Sequence, residues 1–139
     1  MTLKELAAFK HLNRECALEK KRLASLRGAL EKKEASSLFG VTPVVNEAEK
    51  KALRGEIVLL ESVTARHLDE ILKKYEEILG FIQTIDDPLG RMILSLRYIN
   101  GLSWTQVAAH IGGDNTEDGV RKYHDRHLAE YGIEAQKNS

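Results

Sequence analysis

Apolar positions recur at helical spacing along most of the chain, and the breaks in that recurrence divide it into two long helices and three short ones. Over residues 3–34, Leu12, Cys16, Glu19, Leu23, Leu26 and Leu30 alternate spacings of four and three, which is a heptad seam. Glu19 occupies a seam position where an apolar residue is expected. Ser36, Ser37, Gly40 and Pro43 mark a clear break, a loop of about eight residues suited to reversing a helix. Asn46 then opens a second long helix with Glu47 and Glu49 in its first turn, and the seam continues through Leu53, Ile57, Leu60, Thr64, His67, Ile71, Tyr75, Ile78 and Ile82. Successive four-residue steps at Ile71 and Tyr75 form a stutter. Leu59, Val63, Leu68, Leu72 and Leu79 widen the apolar face beyond a two-helix seam, so a further partner surface is expected, most economically a second copy. The expected oligomerisation residues are Leu23, Leu26, Leu30, Leu53, Ile57, Leu60, Ile71 and Ile78. Gly80 reads either as a bend near the end of this helix or as a tolerated surface glycine.

Residues 87–128 carry a different pattern. Asp87 followed by Pro88 is a strong helix start, because proline at the first helical position lacks only an N–H that would go unpaired anyway. Leu89, Met92, Ile93, Leu96 and Ile99 form the apolar stripe, and Asn100 with Gly101 ends it. Ser103 and Gln106 have the spacing of a capping box for the next helix, whose apolar face is Val107, Ala108 and Ile111. Gly112, Gly113, Asp114 and Asn115 break that helix. Thr116 caps a last one, with Glu117 and Asp118 in its first turn and Val120, Tyr123, His127 and Leu128 on one face. The fold class is all-α: a long, coiled-coil-like helical hairpin over residues 1–84, a helix-turn-helix domain over residues 85–133 and a tail over residues 134–139.

Composition narrows the class further. With 30% charged and 42% hydrophobic residues and two prolines, the chain has the make-up of a folded helical protein. There is no apolar run of about 18 residues, so no membrane partner is expected, and the early charges of Lys4 and Glu5 argue against an export signal. The single cysteine, Cys16, rules out an internal disulfide and points to a reducing, cytoplasmic setting.

Catalytic chemistry has little to stand on. His124 and His127, with Asp125 or Asp114, are the nearest approach to a metal set. Asp125 lies between the histidines in sequence and points elsewhere on a helix, and no cysteine is near. Cys16 lacks a partner base, and Gly112-Gly113 has neither the strand nor the lysine of a phosphate-cradling loop. No enzyme activity, metal or other cofactor is expected.

The run Leu96-Arg97-Tyr98-Ile99-Asn100-Gly101-Leu102-Ser103-Trp104-Thr105-Gln106-Val107-Ala108 resembles the fourth conserved region of bacterial sigma factors, and Val120-Arg121-Lys122-Tyr123-His124-Asp125-Arg126 fits the same pattern. Joined to a long helical N-terminal half, this domain resembles that of a family of phage and prophage late-gene transcriptional regulators. The likeness is specific over residues 85–130 and architectural over residues 1–84. It departs from the pattern at the turn around Gly112, which is about two residues longer than the common form.

The resemblance implies a regulator that reads double-stranded DNA in the bacterial host cytoplasm as a homo-oligomer, one half-site per protomer, with RNA polymerase as a further candidate partner. The start of a recognition helix faces base edges, which assigns DNA binding to Asn115, Thr116, Glu117, Asp118, Arg121 and Lys122. Arg121 is the leading candidate, since a guanidinium grips both acceptors of guanine; phosphate or solvent is its alternative. Glu117 or Asp118 would accept from cytosine or simply cap the helix. Ser103 and Thr105 would donate to backbone phosphate, and Arg126 would join Lys122 there. Charge distribution pulls the other way: residues 85–139 hold six basic against eight acidic side chains, whereas residues 1–34 hold nine against five. Two other readings share the architecture: a small terminase subunit that marks phage DNA for packaging, and a helix-turn-helix used for protein binding.

Overall fold

The computed structural model describes residues 1–38 and 43–135, with side chains placed over residues 1–36 and 47–135. Among the described residues five α-helices follow one another: α1 (Leu3–Leu38), α2 (Pro43–Gln83), α3 (Pro88–Leu94), α4 (Trp104–Ile111) and α5 (Glu117–His127). A π-helical segment, Ser95–Ile99, continues α3. No strand forms among the described residues; Thr2 and Glu134 make an isolated parallel bridge. The all-α hairpin with shorter helices after it is the architecture expected from periodicity.

Both long helices extend further in sequence than expected. Helix α1 runs beyond Glu34 to Leu38, and α2 starts at Pro43 rather than Asn46. Ser36 and Ser37 are therefore helical, and Pro43 takes a first-turn position where its missing N–H costs nothing. Gly40 and the rest of the expected loop lie outside the described residues, as do residues 136–139 of the expected tail. Gly80 sits exposed within unbroken α2, with open space where a Cβ would stand, as a tolerated surface glycine does.

Two compact units make up the chain: Glu15–Asp69, and Met1–Arg14 with Glu70–Ser139. The division thus falls inside the long helices instead of at residue 84. In the unit Glu15–Asp69, antiparallel stretches of α1 and α2 bury Cys16, Leu23, Ile57 and Thr64. Exposed ion pairs Arg27–Glu61 and Arg54–Glu34, both at 3.5 Å, cross the seam; such pairs contribute at most about 1 kcal/mol, so apolar packing carries this unit. Glu19, the polar intruder, meets His67 of α2, with Oε1 2.6 Å from Nδ1. The two polar seam residues satisfy each other, which explains why neither needed to be apolar.

The other unit has two cores with α3 between them. Leu6 and Phe9 of α1, Ile78 and Ile82 of α2, Ile85, Leu94, Tyr98, Leu128 and Ile133 form the first. Ile93, Val107, Ala108 and Val120 form the second, with Leu89, Leu96, Trp104, Ile111 and Tyr123 packed around it. Adjacent residues Ile93 and Leu94 thus point into different cores. The π-helical turn places Tyr98, outside the expected stripe, in the first core at 5% exposure, while Met92 of the stripe is 48% exposed. Periodicity of 3.6 residues cannot anticipate that inserted residue.

Seam residues assigned to oligomerisation are largely used within the chain. Leu23, Ile57 and Ile78 are buried, and Leu26, Leu30, Leu53, Leu60 and Ile71 are half-buried. Tyr75, placed in the seam by its spacing, is exposed. Apolar side chains left open on α2 are instead Val58, Leu59, Leu68, Leu72 and Tyr75.

Candidate functional site

Helix α4 starts where its sequence says it should. Ser103 Oγ accepts from the Gln106 N–H at 3.2 Å, and Gln106 Oε1 accepts from the Ser103 N–H at 2.9 Å, a complete capping box. Val107 and Ala108 turn inward against Ile93 and Val120. Gly112 and Gly113 both have positive φ, 77° and 65°, which lets residues 112–116 fold back without a Cβ penalty. Asn115 Nδ2 closes that turn on the Gly112 carbonyl at 2.8 Å, and Thr116 Oγ1 caps α5 by accepting from the Gly119 N–H at 3.0 Å. Asn115 and Thr116 therefore have structural duties, although both remain exposed.

The outward face of this pair of helices carries Ser103, Thr105, Glu117, Asp118, Arg121, Lys122 and Arg126, all exposed. Its polar groups are largely occupied by one another. Thr105 Oγ1 donates to Glu117 Oε2 at 2.9 Å, tying the first turn of α4 to the first turn of α5. Asp118 receives Arg121 on Oδ1 at 3.1 Å and Lys122 on Oδ2 at 2.8 Å. Lys122, and then Arg121, hold its carboxyl below the usual carboxylate range. Two of the three cations assigned to base or phosphate contact, Arg121 and Lys122, are thus paired to one carboxylate, while Arg126 has no ion-pair partner among the described residues.

Behind that face lies a polar network that spacing did not reveal. His124, 4% exposed, has Nε2 2.8 Å from the Tyr98 hydroxyl and Nδ1 2.9 Å from Asp125 Oδ1. With Nδ1–H donating to Asp125, the neutral ring accepts the Tyr98 O–H at Nε2. Burial depresses the His124 pKa, against an opposing pull from Asp125, and burial pushes Tyr98 up to about 12. Trp104 meets the His124 ring edge-on at 4.8 Å and carries the Arg97 guanidinium 4.5 Å from its own centroid, so it packs on the preceding helical segment. His127 stacks on Tyr123 at 4.1 Å, with Nδ1 2.8 Å from the Tyr123 carbonyl oxygen. The two histidines do not converge: one is committed to Tyr98, the other to Tyr123.

Asp87 is the second residue whose role exceeds its motif. It caps α3, accepting from the Leu89 N–H at 3.2 Å, and its other oxygen accepts the hydroxyls of Tyr123 and Tyr131, each at 2.5 Å. Those two donors, Tyr123 first, lower its pKa. One carboxylate thereby joins α3, α5 and the C-terminal turn.

One further cluster brings ligating atoms together: Glu15, Glu19 and His67, whose donor atoms lie within 4.8 Å of one another. Glu19 approaches Nδ1 and Glu15 approaches Nε2 at 3.3 Å. The two carboxylates thus approach opposite ring nitrogens, and the Glu19 contact is the hydrogen-bonded one. No helix among the described residues is long and apolar enough to cross a membrane. Comparison of the chain with protein-family models, with curated proteins and with solved structures finds no match.

Proposed function

We propose that the chain is a sequence-specific double-stranded DNA-binding regulator of phage or prophage transcription, acting as an oligomer and catalysing no reaction. The carrying observation is the α4–turn–α5 arrangement: a complete capping box, a shared apolar core and an exposed start of α5, in the stretch that resembles sigma region four. In this reading α5 enters the major groove and Arg121 leaves Asp118 to meet guanine acceptors. The first turn of α4 abuts the sugar-phosphate backbone. Exposed apolar residues on α2 supply the surface that pairs protomers, and two modest half-site contacts joined in one assembly give useful affinity.

Binding of the purified full-length chain to duplex fragments tiled across its own genomic neighbourhood, over a salt series, tests this. Selection of one promoter-proximal fragment that survives physiological salt is the expected result. Weak binding to every fragment alike, lost with salt, would overturn it, since only the electrostatic component would then remain. The ion pairing of Asp118 favours one alternative, a helix-turn-helix that docks a protein. In that case Arg121→Ala abolishes function in a chain with no DNA affinity to lose.

A further inference from the structure

Lys10 and Arg14 lie one turn apart on α1, on the same side of the helix. Their stretch of α1 is fixed beside the loop that leads into α4. A Cβ at Gly101 would stand 3.8 Å from Lys10 Cγ, and Asn13 Nδ2 donates to the Ile99 carbonyl at 3.5 Å. Arg97 faces the same loop, donating to the Leu102 carbonyl at 3.0 Å and covering the ring of Trp104, the first residue of α4.

This neighbourhood is rich in cations. Lys10 and Arg14 have no ion-pair partner among the described residues. The Lys10 ammonium is held below its ordinary range first by burial, then by the like charges of Arg97 and Arg14. Partly desolvated like charges oppose folding unless an anion offsets them. The N-terminal end of α4 adds its own positive dipole to the same place, with Ser103 exposed beside it.

We propose that Lys10, Arg14 and Arg97, with the first turn of α4, bind the phosphate backbone of duplex DNA, making α1 part of the nucleic-acid interface. The proposal rests on the DNA-binding reading and deepens it. It assigns the sequence-independent grip to cations that have no carboxylate ion-pair partner among the described residues, whereas Arg121 and Lys122 must first leave Asp118. It also resolves the charge discrepancy of residues 85–139, since the basic footprint is completed by side chains far away in sequence.

The test uses the full-length chain, duplex DNA and a salt series, comparing wild type with the Lys10→Gln/Arg14→Gln double variant. Each lost phosphate contact lowers the slope of log affinity against log salt by about 0.9, so a fall of up to about two is expected. The loss should be equal on preferred and unrelated fragments, because phosphate contacts carry no sequence information. Arg14→Gln alone, at an exposed position, keeps the measurement available if the double variant fails to fold, and should lower the slope by about 0.9. Lys51→Gln, at an exposed position on α2, is the control and should leave binding unchanged. A folded variant that binds with wild-type slope and affinity overturns this proposal and leaves the DNA-binding reading intact. Absence of duplex binding by wild type overturns both.

Discussion

Two glycines in helices give opposite expectations for the same substitution. Gly80 faces open space, so Gly80→Ala should stabilise the chain by about 0.5–1 kcal/mol, the ordinary gain of alanine over glycine in a helix. Gly90 is buried in α3, and a Cβ there would stand 2.2 Å from the Tyr131 hydroxyl that Asp87 holds. The clash outweighs the helix gain, and Gly90→Ala should cost about 1–3 kcal/mol. Urea unfolding midpoints of the two variants decide this; a gain at Gly90 would mean that Tyr131 is not held on Asp87. His124 gives a pH expectation of definite sign. Its folded pKa lies below the 6.5 of an unperturbed histidine, so the unfolded chain takes up the proton first. Its contribution to stability is complete above that value, declines as pH falls below it, and reaches a floor once pH passes the depressed folded pKa. Thermal unfolding of wild type and His124→Gln between pH 7 and 5 should show this part of the decline only in wild type. An equal decline in both would place the proton elsewhere.

At the scale of elements, the outward face of α4 and α5 has most of its charged groups paired with one another. Glu117 holds Thr105, and Asp118 holds Arg121 and Lys122. Any anionic partner must break these exposed contacts, and because exposed pairs are weak the obstacle is small. Asp118→Asn should therefore raise affinity for duplex DNA and steepen its salt dependence as Arg121 and Lys122 become available. Unchanged affinity would mean that α5 does not approach the backbone, and would favour the protein-docking alternative. Helix α3 is the other decisive element. Its π-helical continuation turns Tyr98 into the first core, where it reaches His124 of α5 beside the second. Substitutions on either side of α3 are accordingly expected to couple instead of adding.

For the whole molecule, the question is what covers α2. Val58, Leu59 and Leu72 are each more than 60% exposed, an arrangement the hairpin seam does not need for its own packing. Sedimentation velocity across the micromolar range should show a dimer or larger assembly, and Leu72→Glu should shift it to monomer without loss of helical signal. A wild-type chain that stays monomeric at those concentrations would remove the oligomeric part of the proposed function. The proposed DNA binding would then have to come from a single protomer's α4 and α5 with the cations of α1.

The sequence by itself determined the all-α class and the caps of the short helices. Asp87-Pro88, Ser103 with Gln106, and Thr116 are local devices in which a side chain meets a backbone N–H within three residues, so spacing is sufficient to read them. The heptad pattern of Leu23 and Ile57 likewise announced a packing face, because burial recurs with the helical period. Tertiary structure alone decided which polar residues meet. Glu19 with His67, Asp87 with Tyr123 and Tyr131, and Tyr98 with His124 are partners across long stretches of chain, and only packing brings them within hydrogen-bond reach. It also decided that Arg121 and Lys122 share Asp118 while Lys10, Arg14 and Arg97 gather beside the start of α4. Residue type fixes what charge a side chain carries; whether that charge is already neutralised depends on neighbours that only the fold supplies.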